Sequence, residues 1–296
     1  MKRELFCGSW VAIVTPFNDG KIDEIALSKL LDMHLEAGTD GLVICGTTGE
    51  SVTLSLDERR KLMTLVSRRV AKKIPLMLGT GANNTSTTVE FTREAADLGA
   101  DAVLVVTPYY NKPTQAGLIA HFKAVAASTP LPVFLYNVPG RTGVNLLPQT
   151  VLELAKVRNI KAVKDASGNL EQAMDIIRNA PPGFMLFSGE DALNFQLMAT
   201  GAAGTISVTG NVVPLQMKQF NDACLENNWE KARKLHFDLL DLHRGMFIES
   251  NPIPVKTALS LMGLIHAEFR LPLVPAAPAT IEKLLPILKR MDLIKA

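Results

Sequence analysis

The stretch Ala102-Val103-Leu104-Val105-Val106 is an uninterrupted run of apolar residues, three of them β-branched. A strand with one face in water would alternate apolar and polar side chains, so this run predicts a strand that is buried on both faces. Strands of this kind are typical of parallel sheets that carry helices on their surface.

Similar short runs recur over the first two thirds of the chain. Their starts lie about 20 to 34 residues apart, which leaves room for one helix and two loops between neighbours. The predicted strands are Trp10–Thr15, Gly41–Cys45, Pro75–Gly79, Ala102–Thr107, Pro132–Asn137, Ile160–Lys164, Phe184–Ser188 and Gly204–Ser207. Eight strand-plus-helix units are the number that closes a parallel barrel, so we expect an α/β fold of the (β/α)8 TIM-barrel type.

Only helical patterns follow the eighth strand, with proline-rich breaks at Pro252–Pro254 and Pro272–Pro278. We therefore predict a catalytic barrel over residues 1–211 and a C-terminal helical appendage over residues 212–296. This assignment replaces the two domains that a length of 296 residues would otherwise favour.

Composition excludes several classes of protein. With 47% hydrophobic residues, 20% charged residues and a net charge of +2, the chain is neither disordered nor fibrous, and it lacks the positive charge of a nucleic-acid binder. No apolar run approaches the roughly 18 residues that span a bilayer. Cys7, Cys45 and Cys224 are too scattered for a disulfide framework or a zinc ribbon, which favours the cytoplasm. The start Met1–Arg3 is followed by Glu4 and no small-residue cleavage site, so we expect no signal peptide.

In a parallel barrel, reactive groups come from the carboxyl ends of the strands and the loops that follow. The second predicted strand ends in Gly46-Thr47-Thr48-Gly49-Glu50-Ser51. Its glycines let the backbone approach a ligand, while its hydroxyls and amides offer donors to an anion. Taken alone, such a sequence is more often only a turn, and it lacks the lysine of a nucleotide-binding loop.

Aromatic and basic residues follow the fourth and fifth predicted strands. The chain has three tyrosines, Tyr109, Tyr110 and Tyr136, and all fall at these strand ends. Any single tyrosine is most simply a packed side chain with a bonded hydroxyl, but their clustering favours function. Arg141 lies in a glycine-flanked loop, where it either binds a substrate carboxylate with two parallel hydrogen bonds or is a solvated surface residue.

The sixth predicted strand carries two lysines on opposite faces. Alternation puts Ile160, Ala162 and Lys164 on one face and Lys161 and Val163 on the other, so one lysine points into the barrel. Burial disfavours the charged ammonium and yields the amine that attacks a ketone to form a Schiff base. A buried ion pair or the opposite assignment of faces remain alternatives. The five histidines have no metal-ligand spacing, so we expect no metal site.

Taken together, Gly46–Glu50, Tyr136–Gly143 and Lys164-Asp165 resemble the dihydrodipicolinate synthase family. This family belongs to the pyruvate-dependent class I aldolase superfamily, which includes N-acetylneuraminate lyase. The likeness extends from Gly8–Trp10 to Asn251–Lys256. It implies a Schiff-base lyase of lysine and diaminopimelate biosynthesis that condenses pyruvate with L-aspartate 4-semialdehyde to 4-hydroxy-tetrahydrodipicolinate.

The resemblance also implies roles for individual residues. Lys164 would form the imine with pyruvate, and Thr47 and Thr48 would bind the pyruvate carboxylate. Tyr136 would relay protons above the imine, together with Thr47 and with a Tyr110 supplied by a neighbouring subunit. The family likeness therefore suggests a homotetramer built as a dimer of dimers.

Three further residues are assigned to substrate binding by the same resemblance. Arg141 would hold the carboxylate of aspartate semialdehyde, Gly189 would lie near that second substrate, and the backbone carbonyl of Ile206 would lie near Lys164. No metal or nucleotide cofactor is implied, because the protonated imine is itself the electron sink.

Two alternatives and one regulatory expectation accompany this interpretation. A sugar-acid aldolase would use the same imine with another acceptor, and a non-catalytic barrel would bind pyruvate without imine formation. Leu56, Arg59 and Thr87 stand where lysine-sensitive bacterial members have His, His and Glu. Since an acidic partner for the ligand's ammonium is missing, we expect weak or absent inhibition by L-lysine.

Overall fold

A computed structural model describes residues 6–295, so the amino-terminal stretch Met1–Glu4 on which the signal-peptide expectation rests lies outside the described residues. The strands are β1 (Gly8–Ala12), β2 (Phe17–Asn18), β3 (Lys21–Ile22), β4 (Gly41–Ile44), β5 (Leu76–Gly79), β6 (Ala102–Val106), β7 (Val133–Asn137), β8 (Ile160–Asp165), β9 (Met185–Ser188) and β10 (Gly204–Ser207). Eight of them form a closed parallel barrel in which β1 pairs with both β4 and β10, while β2 and β3 form a separate antiparallel pair. The predicted TIM barrel is confirmed.

Helices connect the barrel strands and continue beyond the last one. They are α1 (Glu24–Glu36), α2 (Leu56–Val70), α3 (Thr85–Glu94), α4 (Gln115–Ala127), α5 (Pro139–Thr142), α6 (Pro148–Leu154), α7 (Leu170–Asn179), α8 (Asn194–Ala199), α9 (Pro214–Leu225), α10 (Trp229–Gly245), α11 (Ile253–Leu261) and α12 (Pro278–Arg290). Local chemistry sets their starts: at α2, the Ser55 side chain accepts from the Glu58 amide, and the Glu58 carboxylate accepts from the Ser55 amide. Within the part of the chain described, no helix is both long enough and apolar enough to cross a membrane.

The strand β6 shows why its sequence is apolar throughout. Val103 and Val105 pack outward into the layer between barrel and helices, whereas Ala102 and Leu104 pack inside the barrel. The barrel interior is filled mainly by Trp10, Ala12, Val43, Met77, Leu104, Phe134, Tyr136, Ala162, Phe187 and Ile206. The bottom and middle of the barrel are therefore a packed core, and space for a ligand is left at one end.

The strand β8 departs from regular alternation at its start. Val133 of the neighbouring strand lies opposite Ile160, but the next residue, Phe134, lies opposite Ala162, so Lys161 is an extra residue in the ladder. Such a bulge resets the alternation. Ile160 consequently packs in the outer layer and not on the face of Ala162, so its predicted orientation was wrong. Beyond the bulge Lys164 lies inside the barrel and Lys161 is exposed, which decides between the two assignments of faces that the alternation left open.

Of the helices after β10, α9 packs directly against a barrel strand, whereas α10 and α11 pack mainly on other helices and turns. Helix α9 packs against β1, α1 and α8, which is the position of an eighth barrel helix. Helix α10 packs on α8, α9 and α12, and α11 lies against α12 and the turn Thr209–Asn211. The division of the chain at residues 211 and 212 stays a proposal, and it assigns α9 to the helical region.

Candidate active site

A pocket of about 280 Å³ opens at the carboxyl ends of the barrel strands. Among the residues expected at the site, Thr47, Tyr136 and Arg141 line it, and so does Tyr109. The remaining wall is formed by Cys45, Gly46, Glu50, Ser51, Val52, Thr53, Gly79, Gly81, Leu104, Val106, Val138, Thr142, Asn251, Pro252, Pro272 and Leu273. The pocket therefore lies between the barrel mouth and segments of the C-terminal region.

Lys164 does not itself line the pocket, but it lies against Tyr136, which does. The Lys164 side chain is only 5% exposed, and its Nζ lies 4.3 Å from the centre of the Tyr136 ring. Tyr136 is the direct neighbour of Lys164 in the β7–β8 ladder. A cation facing an aromatic ring is stabilised by the negative face of that ring, so the same position suits a protonated nitrogen.

The carboxylate of Asp165, the residue after Lys164, is bonded to Ser167 and Gln172. Oδ1 of Asp165 accepts from the amide and hydroxyl of Ser167 at 2.8 and 2.6 Å, and Oδ2 accepts from Nε2 of Gln172 at 3.2 Å. Within residues 6–295, Lys164 forms no salt bridge, which removes the buried ion pair as an explanation for its burial. Burial and the charge of Asp191 raise the pKa of Glu190 above its usual range, while the Lys164 charge opposes that rise.

Gly189 leaves room for the Lys164 side chain. A Cβ atom at Gly189 would lie 2.8 Å from Cε and 3.0 Å from Cγ of Lys164. Its amide donates to the carbonyl of Asp165 at 2.7 Å, which fixes this loop against β8. Ile206 lies one strand further round the barrel, 1% exposed and inside. Both residues are thus next to or within the interior that surrounds Lys164.

The turn after β4 is closed by its own backbone. The amides of Gly49 and Glu50 donate to the carbonyls of Gly46 and Thr47, both at 3.1 Å. The hydroxyl of Thr15 donates to the carbonyl of Gly49 at 2.8 Å and ties the turn to the loop after β1. This arrangement presents Thr47 to the pocket, while Thr48 is buried beside it.

Asn251, which the sequence analysis did not select as a site residue, connects two of the predicted anion-binding elements. Its Nδ2 donates to Oγ1 of Thr48 at 3.0 Å, and its backbone carbonyl accepts from Nη2 of Arg141 at 3.1 Å. Asn251 is buried, whereas Arg141 is exposed at the lip of the pocket. In the sequence, Asn251 lies before a proline-rich break and within the family likeness, but neither signal assigns it a role in the site.

Tyr110 is separated from the other predicted residues. Its side chain is 89% exposed, its φ is 75°, and its amide donates to the carbonyl of Thr142 at 3.3 Å. The neighbouring Tyr109 lines the pocket and Tyr110 does not. Within one chain, Tyr110 is therefore directed to the surface near the pocket mouth.

A second buried lysine was not found by sequence reasoning. Nζ of Lys256, in α11, lies 2.5 Å from Oε1 of Glu50, and both side chains are fully buried. The ammonium also faces the rings of Phe17 and Phe269 at 4.4 and 4.9 Å. Burial lowers the pKa of Lys256, and the charge of Glu50 opposes that shift. Unlike Lys164, Lys256 has an acidic partner, and neither lysine is among the residues that line the pocket.

No metal-binding cluster of three or more His, Cys, Asp or Glu side chains is found within residues 6–295. The fold and site together define a (β/α)8-barrel protein with an amine buried beneath a pocket at the carboxyl-terminal mouth.

The chain belongs to the dihydrodipicolinate synthetase family, whose sequence model matches residues 5–291. It is 51% identical over 290 residues to the 4-hydroxy-tetrahydrodipicolinate synthase of Geotalea uraniireducens, covering 98% of this chain and 100% of that one. Dihydrodipicolinate synthase from Thermotoga maritima has a similar crystal structure, with a TM-score of 0.97 and 44% identity over 98% of this chain and 100% of that one. The chloride-inhibited dihydrodipicolinate synthase of Acinetobacter baumannii, solved with pyruvate, gives a TM-score of 0.96 and 46% identity over 97% and 99% of the two chains.

Proposed function

We propose that this protein is a Schiff-base lyase that condenses pyruvate with L-aspartate 4-semialdehyde to 4-hydroxy-tetrahydrodipicolinate, in lysine and diaminopimelate biosynthesis. The observation that carries this proposal is Lys164, buried against the Tyr136 ring beneath the pocket. The 51% identical relative bears the name of this activity, and a similar solved enzyme was crystallised with pyruvate.

Lys164 would supply the nucleophile of the first half-reaction. Its nitrogen bonds to the keto carbon of pyruvate, and the carbonyl oxygen leaves as water. The protonated imine then draws electrons, so that the methyl carbon loses a proton and becomes an enamine. The Tyr136 ring, 4.3 Å from Nζ, supports the positive charge on the nitrogen. This chemistry requires no metal or nucleotide cofactor.

The second half-reaction forms a carbon–carbon bond and a ring. The enamine carbon bonds to the aldehyde carbon of aspartate semialdehyde, and the aldehyde oxygen takes a proton. The amine of the adduct then attacks the imine carbon, releases Lys164 and closes the ring. These steps need protons to move at two positions. A tyrosine hydroxyl is a weak base by itself, so Tyr136 would act in a relay with Thr47 and Tyr110.

The two substrate carboxylates would bind at different parts of the mouth. Thr47 and Thr48, in the turn after β4, would bind the carboxylate of pyruvate, and Arg141 at the lip would bind that of the semialdehyde. The bond from Arg141 to the Asn251 carbonyl supports this placement because it holds the guanidinium at the pocket edge. Gly189 and the carbonyl of Ile206 would complete the surroundings of the reacting atoms.

The assembly is also part of the proposal. An 89% exposed Tyr110 beside the pocket mouth fits a residue that completes the site of a neighbouring subunit, in a homotetramer built as a dimer of dimers. We further infer a cytoplasmic enzyme, since its scattered cysteines do not form a disulfide framework. Inhibition by L-lysine would be weak or absent, because Arg59 stacks on Phe91 and donates to the Gly79 carbonyl where an acidic or imidazole ligand would be needed.

The choice of acceptor is tested by comparing the two candidate reactions in separate assays. The purified protein is given pyruvate with aspartate semialdehyde, and separately N-acetylneuraminate, and product formation and cleavage are measured under the same conditions. We expect condensation and no cleavage of the sugar acid. Efficient cleavage without condensation would identify a sugar-acid aldolase. If the protein catalysed neither reaction, the result would favour a non-catalytic barrel that binds pyruvate.

A further inference from the structure

The Lys256–Glu50 ion pair is the most deeply buried charged contact in the described residues, yet neither side chain belongs to the proposed set of reacting groups. Both side chains are fully inaccessible, and the two aromatic rings over Lys256 close the site further. A buried ion pair is weak support for stability, because well-packed apolar residues are often as stable or more so. Its position therefore needs another explanation.

Glu50 is the last residue of the turn that carries Thr47 and Thr48. It has a φ of 53° and a ψ of 37°, a left-handed conformation that is unfavourable for a residue with a Cβ. The Glu50 amide donates to the carbonyl of Thr47, so the Glu50 backbone and the two threonines form one hydrogen-bonded unit. Holding the Glu50 side chain in place thus holds this turn.

The groups that hold Glu50 come from the C-terminal region. Lys256 bonds to Oε1 at 2.5 Å, and the amide of Arg270 donates to Oε2 at 3.3 Å. The Arg270 guanidinium in turn bonds to Glu58 and to the carbonyl of Thr53, in the segment that follows the turn. Both oxygens of Glu50 therefore have donors from elements more than 200 residues further along the chain.

We propose that Lys256 is a positioning residue for pyruvate: through Glu50, it fixes the turn whose Thr47 and Thr48 bind the pyruvate carboxylate. The helical region would then have a direct part in substrate binding, although it supplies no reacting atom. This inference rests on the proposed function, since it assumes that the turn binds pyruvate.

The test separates positioning from stability by removing both charges together. In the double variant Lys256→Met/Glu50→Gln, no unpaired charge is left in the interior, and the side-chain amide that Glu50→Gln introduces keeps an acceptor oxygen for the Arg270 amide. The control is Lys234→Met/Asp238→Asn, which removes the 2.6 Å pair within α10 in the same two-residue manner. Thermal unfolding, kcat and the KM values for both substrates are measured for each variant.

We expect the double variant to fold with its KM for pyruvate raised about tenfold or more, and with its KM for the semialdehyde changed less than about twofold, because a displaced turn weakens one carboxylate site only. The control variant should keep the KM values of the unmodified protein for both substrates. An unchanged pyruvate KM in the folded double variant would overturn the inference. If the double variant does not fold, Lys256→Met/Glu50→Leu, which also leaves no unpaired charge in the interior, is measured with the same expected KM values.

Failure of the inference and failure of the proposed function are distinguishable in this experiment. If the unmodified protein does not condense its two substrates, the proposed function is wrong. If it does and the double variant binds pyruvate as well as the unmodified protein, only the role of Lys256 is wrong.

Discussion

Substitution of Gly189 by alanine tests whether the free space beside Lys164 is required for imine formation. The added methyl carbon would lie 2.8 Å from Cε and 3.0 Å from Cγ of Lys164, and 2.9 Å from Cβ of Ala166. Non-bonded carbons pack at about 3.5–4.0 Å, so the lysine stem must move by roughly 1 Å. A displacement of this size at a reacting group costs about 10²-fold in rate, and the overpacking costs about 1–3 kcal/mol of stability.

The assay is the rate at which borohydride-trappable imine appears after pyruvate is mixed with excess enzyme. We expect Gly189→Ala to remain folded and to form the imine about 100-fold more slowly. Gly117→Ala in α4 is the control, because its new methyl would meet only Pro113 and Thr114 at 3.4 and 3.5 Å. Imine formation by Gly189→Ala at the unmodified rate would refute the account of this glycine.

Two further predictions concern Arg141 at the pocket mouth and the Arg270–Glu58 ion pair. Arg141→Ala should raise the KM for aspartate semialdehyde about 10- to 100-fold, the effect of losing a charge-assisted bond, and should leave the pyruvate KM nearly unchanged; equal effects on both substrates in steady-state kinetics would contradict this role. The Arg270 guanidinium bonded to Glu58 lowers the pKa of that carboxyl to about 2, whereas an unfolded chain titrates it near its ordinary value of 4.5. The unfolded state therefore binds more protons in this range, and the stabilisation present above about pH 4.5 is lost as the pH falls towards 2. Urea unfolding at pH 6 and pH 3 should show a smaller loss of stability on acidification in Arg270→Met than in the unmodified protein, and an equal loss would disprove the coupling.

Much of the fold follows from patterns that are local in the sequence. The continuous apolar run of β6 predicts burial on both faces because each face packs against a different layer. The regular spacing of such runs predicts the barrel, because each parallel connection needs a helix-sized segment. Alternation, which is set by backbone geometry, predicts that Lys161 and Lys164 lie on opposite faces, but only the family resemblance selects Lys164 as the internal lysine.

The bulge in β8 could not be predicted in this way. Nothing in the residues Ile160-Lys161-Ala162 distinguishes a bulged ladder from a regular one, because the extra residue is defined only by pairing with Val133 and Phe134 of β7. The orientation of Ile160 was wrong for this reason, while the residues beyond the bulge were unaffected.

The contacts between the C-terminal region and the turn after β4 also could not be predicted from sequence patterns. Lys256 and Glu50 are 206 residues apart, and Asn251 and Thr48 are 203 apart. Periodicity within a helix or strand carries no information about such contacts, which exist only once the C-terminal region has packed against the barrel mouth. A lysine in the helical region is, by composition alone, most simply a surface residue.

The central claim is that Lys164, and no other lysine, forms the imine with pyruvate, and borohydride trapping followed by peptide mass mapping tests it most directly. We expect the added mass of reduced pyruvate on the peptide containing Lys164, and no labelling of a folded Lys164→Met variant. A label on Lys161 or Lys256, or none on the unmodified protein, would contradict the account.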